Sequence, residues 1–325
     1  MTGVGRRLRF DGLAVLRSCG LADRVRILVF RVFRHLGAVA LGYSLSKIWQ
    51  QGRRRALRAR NRAYQAARTS APADRRTIVI LGCQRSGTSL MLEVFDEDPR
   101  CLSFPEFSVL SGPREGGIRL RPLAEVQAHL ERLRAPITVL KPLVESQNAH
   151  RLLDGLPNAR AVWMFRGFES VAVSNVTYFG ADNSERDLQL LLTTDPPNWR
   201  NEVVADSVRA VVRKHYAPDM SPYDAAALFW WARNRLFFDL ALDERSDVFL
   251  CEYEALVAAP APVMRSIYDF CDIAPPARDV TRRIHSRARD RGESSAISSD
   301  VRAVCAELHA RLVDCSRGSG AAAVE

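Results

Sequence analysis

Residues 82–89, Gly-Cys-Gln-Arg-Ser-Gly-Thr-Ser, follow the apolar run 77–81 and precede a helical stretch. That is the arrangement of a strand, an anion-cradling loop and a helix N-terminus. In the G-x-x-x-x-G-K-[ST] loop of nucleoside triphosphatases, the lysine after the second glycine neutralises phosphates and the next hydroxyl holds Mg²⁺. Here Thr88 stands at the lysine position and the cation, Arg85, lies inside the loop. Backbone N–H groups of such a loop still wrap a phosphate, but a metal-bound triphosphate is poorly served; a 5′-phosphate carrying a less charged group suits it better. Further along, residues 161–174 read as a buried strand ending at Arg166, a turn at Gly167, and a helix opening near Phe168. Ser174 then comes about two turns into the helix and reaches back toward the strand end, so that Arg166 and Ser174 could hold a second phosphate.

Lys141 stands out by composition. The chain has 47 basic residues, yet only Lys47, Lys141 and Lys214 are lysines. An ammonium at a strand end is a compact charge able to donate to a bridging oxygen, where a guanidinium prefers planar bidentate partners. Each feature has an ordinary counterpart: a glycine loop as a turn, a helical serine that back-bonds or faces solvent, a chance surface lysine, and, for Glu106, a solvated loop carboxylate. Their conjunction is stronger, because both loops follow predicted parallel strands at the carboxyl ends, where open α/β sheets place ligands.

The elements that must position these groups are strands near 77–81, 137–140, 161–165 and 247–251, with helical segments between and after them. That succession predicts an α/β fold, a P-loop-like parallel sheet flanked by helices on both faces, with an N-terminal helical extension. Residues 75–325 form the expected catalytic domain and residues 1–74 the basic, helical extension; 325 residues at 47% hydrophobic content suffice for one large core plus an appendage. Residues 180–225, rich in Asp, Asn and Pro, read as a lid or insertion. Phe229, Trp230, Trp231, Leu236, Phe237 and Phe238 recur at helical spacings and read mostly as core, while Tyr178, Phe179, Trp199, Tyr216 and Tyr223 are candidate acceptor-facing aromatics.

Charge is unevenly distributed. Residues 1–74 hold 16 Lys+Arg against 3 Asp+Glu, giving +13, and the remaining 251 residues carry −3. Within the extension the longest uncharged run, Leu36 to Ser46, is too short to span a bilayer, and it lies too far in for a secretory signal. A basic amphipathic helix followed by the cluster 53–60 suits an anionic inner membrane surface; the alternative is a helical arm packed on the core or on a second subunit. An arginine-rich arm also suits nucleic acid, which the absence of a recognisable reading module disfavours. Seven scattered cysteines without a Cys-x-x-Cys pair imply a reducing compartment, and neither they nor the six dispersed histidines have metal-ligand spacing. Cys83, inside the loop, reads as a small packing residue, with redox sensitivity as the functional alternative.

Taken in order, these motifs resemble the sulfotransferase superfamily, whose donor is 3′-phosphoadenosine 5′-phosphosulfate (PAPS), over roughly residues 75 to 315. The resemblance implies a 5′-phosphosulfate loop at Gln84, Arg85, Ser86, Gly87, Thr88 and Ser89, and a 3′-phosphate pair at Arg166 and Ser174. Residues 247–256 are similar to the family's strand and Tyr-Glu-x-Leu sequence, which makes Tyr253 a donor-nucleotide contact. In the tyrosylprotein branch and its bacterial relatives a glutamate beyond the loop serves as general base and a Lys-Pro pair recurs; Glu106 and Lys141-Pro142 are similar. His215 is the second candidate base, although its position does not match the family's. The C-terminal Arg-Lys-Gly-x-x-Gly element of the cytosolic branch is missing, and Ser286 to Ser294 is the candidate substitute.

The implied activity is metal-free, in-line sulfuryl transfer from PAPS to a hydroxyl of a carbohydrate, glycolipid or small metabolite, with catalytic Glu106, Arg85 and Lys141. The expected location is cytoplasmic, or peripheral on the inner membrane face. The enzyme alternative is a nucleotide-dependent kinase, which Thr88 disfavours. The non-enzyme alternative is a nucleotide-binding or membrane-tethered protein that keeps the cradle without turnover. A tyrosyl-protein acceptor is suggested by Glu106 but sits poorly with a reducing compartment.

Overall fold

A computed structural model describes residues 52–53, 55–67, 74–282, 284 and 297–321 of the 325-residue chain. Apart from the first few, they fall in one compact unit, Leu57–Glu325. The Leu36–Ser46 run and the 286–294 segment lie outside the described residues.

The centre of the molecule is the strand β1 (Arg76–Gly82), whose residues from Thr77 onward are all buried. Such a continuous apolar run, covered on both faces, is typical of a central parallel strand. Around it lie β2 (Cys101–Phe104), β3 (Ile137–Leu140), β4 (Ala159–Phe165) and β5 (Val248–Glu252), in the order β2-β3-β1-β4-β5. All four pairings are parallel. The four-residue edge strand β2 is an addition to the strands expected from sequence.

Alternate side chains of β1 enter two cores. Ile78 and Ile80 pack with Met91 and Phe95 of helix α1 (Thr88–Glu97) and with Met264 and Ile267 of the helix Pro260–Phe270. Val79 and Leu81 face the larger core, built on α2 (Leu123–Glu131), α3 (Ala149–Gly155), α4 (Phe168–Phe179) and α5 (Ala181–Leu192). It continues through α6 (Asp206–His215), α7 (Pro222–Asp239) and the C-terminal helix Ser299–Ala321. Helix α7 starts cleanly because Ser221 accepts from the Tyr223 N–H and Pro222 fills the first turn, where a missing N–H costs nothing. Phe229, Trp230, Trp231, Leu236 and Phe237 are buried, which is the core role their spacing predicts. The 180–225 stretch differs from a simple lid in containing α5 and α6, with buried Trp199 between them.

Residues 57–66 are helical and pack on the domain: Asn61 donates to the carbonyls of Asp96, Asp98 and Cys101, and Gln65 to those of Pro99 and Cys101. Among the described residues, no helix is long and apolar enough to cross a membrane.

Candidate functional site

Five parallel strands end on one edge of the sheet, and each of them is followed by a sequence-flagged group. The loop 83–87 leaves β1, Glu106 follows β2 by two residues, Lys141 follows β3, Arg166 follows β4, and Tyr253 follows β5. The chain leaves β1 toward β2 and leaves β4 toward β5, so the connections diverge between β1 and β4. Such a divergence marks the usual ligand position of an open α/β sheet.

The loop's shape follows from two glycines. A Cβ on Gly82, at φ +122°, would lie 2.2 Å from the carbonyl oxygen of Met164 on β4. A Cβ on Gly87, at φ +89°, would lie 2.4 Å from the Tyr253 ring. Ser146 fixes the loop's entry, accepting from the Gly82 N–H at 3.0 Å and donating to Leu143 O at 2.8 Å. Arg85 is held at φ +66°, a region non-glycine residues rarely adopt. Its Nε donates to Ser174 Oγ at 3.0 Å, and its guanidinium lies 4.2 Å from the centre of the Tyr178 ring. Ser174 thus meets Arg85 of the loop after β1, while Arg166 stacks 4.4 Å from the Tyr253 ring centre and lies 3.8 Å from Glu254 Oε1. The Arg166 carbonyl accepts from Trp230 Nε1 at 2.9 Å, which fixes the strand end.

Two groups are poised for an anion. Ser86 is fully buried, yet its Oγ has no hydrogen-bond partner, and Arg166 Nε is likewise buried without a hydrogen bond. Ser86 lies where loop amides and the start of α1 already favour negative charge. Thr88 is buried at the head of α1, Ser89 is exposed, and Gln84 accepts a weak contact from the Cys83 thiol at 3.7 Å. Burial pushes that thiol up to about 12, so Cys83 behaves as a packing residue.

Beside the loop, Lys141 Nζ donates to Glu106 Oε2 at 2.5 Å. Lys141 is buried and Glu106 half-buried, and Oε1 of Glu106 has no protein hydrogen bond among the described residues. The turn carrying Glu106 is closed by Ser111, whose Oγ donates to the Glu106 carbonyl and accepts from the Ser108 N–H. The second candidate base, His215, ends α6 and shares no hydrogen bond with Glu106 or Lys141 among the described residues.

A buried ionic network that sequence reasoning missed supports this edge. Arg119 Nε donates to Glu145 Oε1 at 2.7 Å, and its other nitrogens reach Glu115 and Glu202, each at 2.8 Å. It links the segment after Glu106 to the 3₁₀ turn Leu143–Asn148 after Lys141 and to the 195–205 stretch. Burial alone would lower the Arg119 guanidinium, but its three carboxylate partners outweigh that and raise it. Arg233 lies deeper, donating to Gln147 Oε1 at 3.0 Å and to the Trp199 carbonyl at 3.3 Å, and burial lowers it to about 10. Among the described residues no group of His, Cys, Asp or Glu is arranged to hold a metal ion.

No protein-family model matches the sequence, and no curated protein matches it. Among solved structures the chain is similar to a sulfotransferase from Alicyclobacillus acidocaldarius, at 17% identity, covering 75% of this chain and 95% of that one with a TM-score of 0.44. It is similar to the sulfotransferase STF9 from Mycobacterium avium at 16% identity, covering 78% and 81% with a TM-score of 0.42. Mouse sulfotransferase SULT7A1 complexed with PAP is a further similar structure, at 15% identity, with 75% and 79% covered and a TM-score of 0.36.

Proposed function

We propose that this chain is a PAPS-dependent sulfotransferase acting on an acceptor hydroxyl, with Glu106 as general base. The observation that carries the reading is the 2.5 Å Lys141–Glu106 pair beside a phosphate-cradling loop that has Arg85 in place of the usual lysine. PAPS would supply an activated sulfuryl group on a nucleotide bearing two separate clusters of negative charge. The unpartnered Ser86 Oγ, Arg85 and the loop amides suit one cluster, and the Arg166 guanidinium on Tyr253 suits the other. Ser174 is proposed to serve the site through its bond to Arg85 as well as beside Arg166.

Lys141 occupies Oε2 of Glu106 and keeps the carboxylate oriented, leaving Oε1 to take the proton of the acceptor hydroxyl. The Lys141 ammonium and the Arg85 guanidinium are placed to offset charge that develops on transferring a sulfuryl group. The acceptor is a carbohydrate, a glycolipid or a small metabolite. The basic extension, +13 over residues 1–74, is proposed to favour an anionic membrane surface and hence a peripheral position.

The test is release of 3′-phosphoadenosine 5′-phosphate from PAPS with a panel of hydroxylated acceptors. Acceptor-dependent release that collapses in Glu106→Gln supports the proposal. Nucleotide binding without release, unchanged by Glu106→Gln, would favour a non-catalytic nucleotide-binding protein instead.

A further inference from the structure

Among the described residues the exposed large apolar side chains are Phe107 (69%), Val109 (61%), Val203 (56%), Tyr178 (51%) and Phe179 (46%). Each lies on a segment tied by contact or sequence to the carboxyl edge of the sheet. Phe107 and Val109 follow Glu106 on the segment leaving β2. Tyr178 lies under the Arg85 guanidinium, and Phe179 packs edge-on against Tyr178 at 4.8 Å between ring centres. Val203 follows Glu202, which Arg119 ties to the same segment at 2.8 Å. Val203 also sits at φ +59°, which β-branched residues avoid, and it stays more than half exposed there. Exposed apolar groups confined to one edge mark a surface that something covers.

We propose that this edge docks on a lipid–water interface, from which an amphipathic acceptor presents its hydroxyl to Glu106. The inference rests on the sulfotransferase reading and narrows its acceptor class to a membrane-resident amphiphile. A small soluble acceptor is mostly enclosed by a concave cleft, whereas these side chains each leave 46% or more of their surface exposed. Phe and Tyr rings at the mouth suit the headgroup boundary, where an apolar body and a polar tip are both accommodated. The surface is continuous with the reacting pair, since Phe107 is the next residue after Glu106. The +13 carried by residues 1–74 adds attraction to anionic headgroups without depending on this edge.

The experiment is co-flotation of the full chain with phosphatidylcholine vesicles in high salt, which suppresses attraction through the basic extension. Wild type is compared with Phe107→Ser/Val109→Ser/Val203→Ser, and thermal stabilisation by 3′-phosphoadenosine 5′-phosphate is followed in both. The expected result is flotation of the wild type, at least about tenfold less for the triple variant, and an unchanged nucleotide response. If the triple variant fails to fold, Phe107→Ser against Phe107→Leu decides, with binding kept only by leucine. Wild type that stays in solution, or variants that float equally well, overturn the proposal. Edge-dependent flotation without any nucleotide response would leave the docking surface standing and sink the sulfotransferase reading, so the two failures are distinguishable.

Discussion

Lys141 Nζ lies 2.5 Å from Glu106 Oε2, joining the residue that ends β3 to one just beyond β2. Neighbouring parallel strands bring the two together: Phe104 and Leu140 are paired in register, and the Lys141 N–H donates to the Phe104 carbonyl at 2.9 Å. The pair is therefore fixed by the sheet rather than by flexible loops.

Glu106→Gln keeps the shape and the contact to Lys141 but removes the proposed base. Turnover is expected to fall by about 10²- to 10⁴-fold, with nucleotide affinity unchanged. Steady-state rates beside nucleotide titrations check this; equal losses in both would show that Glu106 holds the fold of the loop instead.

Gly87→Ala is expected to disable the loop proposed to hold the donor. The positive φ costs about 1–2 kcal/mol for any L side chain, and the added methyl would meet the Tyr253 ring at 2.4 Å. Gly116→Ala is the control, because its φ of +71° and ψ of 20° are also left-handed and nothing lies within 4 Å of the added Cβ. Urea midpoints should show a larger loss for Gly87→Ala than for Gly116→Ala, and only the former should lose nucleotide binding.

Much of this arrangement was legible in the sequence because it follows strand ends. The run before Gly82 and the run before Arg166 are apolar and uninterrupted, so β1, β4 and the loops after them could be placed by pattern. The helix expected to open near Phe168 does so, and it carries Ser174 within reach of the loop. What pattern could not show was which partner Ser174 meets, since the strand end at Arg166 and the loop arginine Arg85 are neighbours only once β1 and β4 pair. The strand β2 was missed because four residues, Cys-Leu-Ser-Phe, are too few to set a period. The Arg119 network was invisible because charged residues in a loop read as solvated; Arg119 and Glu202 are separated by 83 positions, and only folding reveals that the arginine is buried.

Arg119→Met is expected to destabilise the domain by about 3–5 kcal/mol, because buried Glu145 and half-buried Glu202 lose their nearest cation and keep only the longer, exposed pairs with Arg151 at 3.6 Å and Arg114 at 3.9 Å. Arg121→Met is the comparison: its pair with Glu125 is solvent-exposed at 3.5 Å, and its loss should change stability by no more than about 1 kcal/mol. Urea unfolding of the two variants separates a buried network from a surface pair.

Glu202 gives the network a pH signature. Burial pushes its carboxyl up, but hydrogen bonds from Arg119 and Gln147 outweigh burial and hold it below its usual 4.5. Folding therefore favours the ionised form. The stability this contributes is complete above pH 4.5 and is lost as pH falls through the folded value. Glu202→Gln should be less stable than wild type at neutral pH, with the gap narrowing on acidification below pH 4.5. A gap that stays constant with pH would mean that Glu202 acts by packing alone.

The most direct measurement is thermal stabilisation by 3′-phosphoadenosine 5′-phosphate, beside AMP and Mg·ATP, in the wild type and in Arg166→Ala. A ligand at about a hundred times its dissociation constant stabilises by roughly 2.7 kcal/mol. If Arg166 on the face of Tyr253 reads the 3′-phosphate, the 3′-phosphorylated nucleotide alone raises the wild-type Tm and Arg166→Ala abolishes the shift. Stabilisation by Mg·ATP without a response to the 3′-phosphorylated nucleotide would contradict the sulfotransferase assignment and put a kinase in its place.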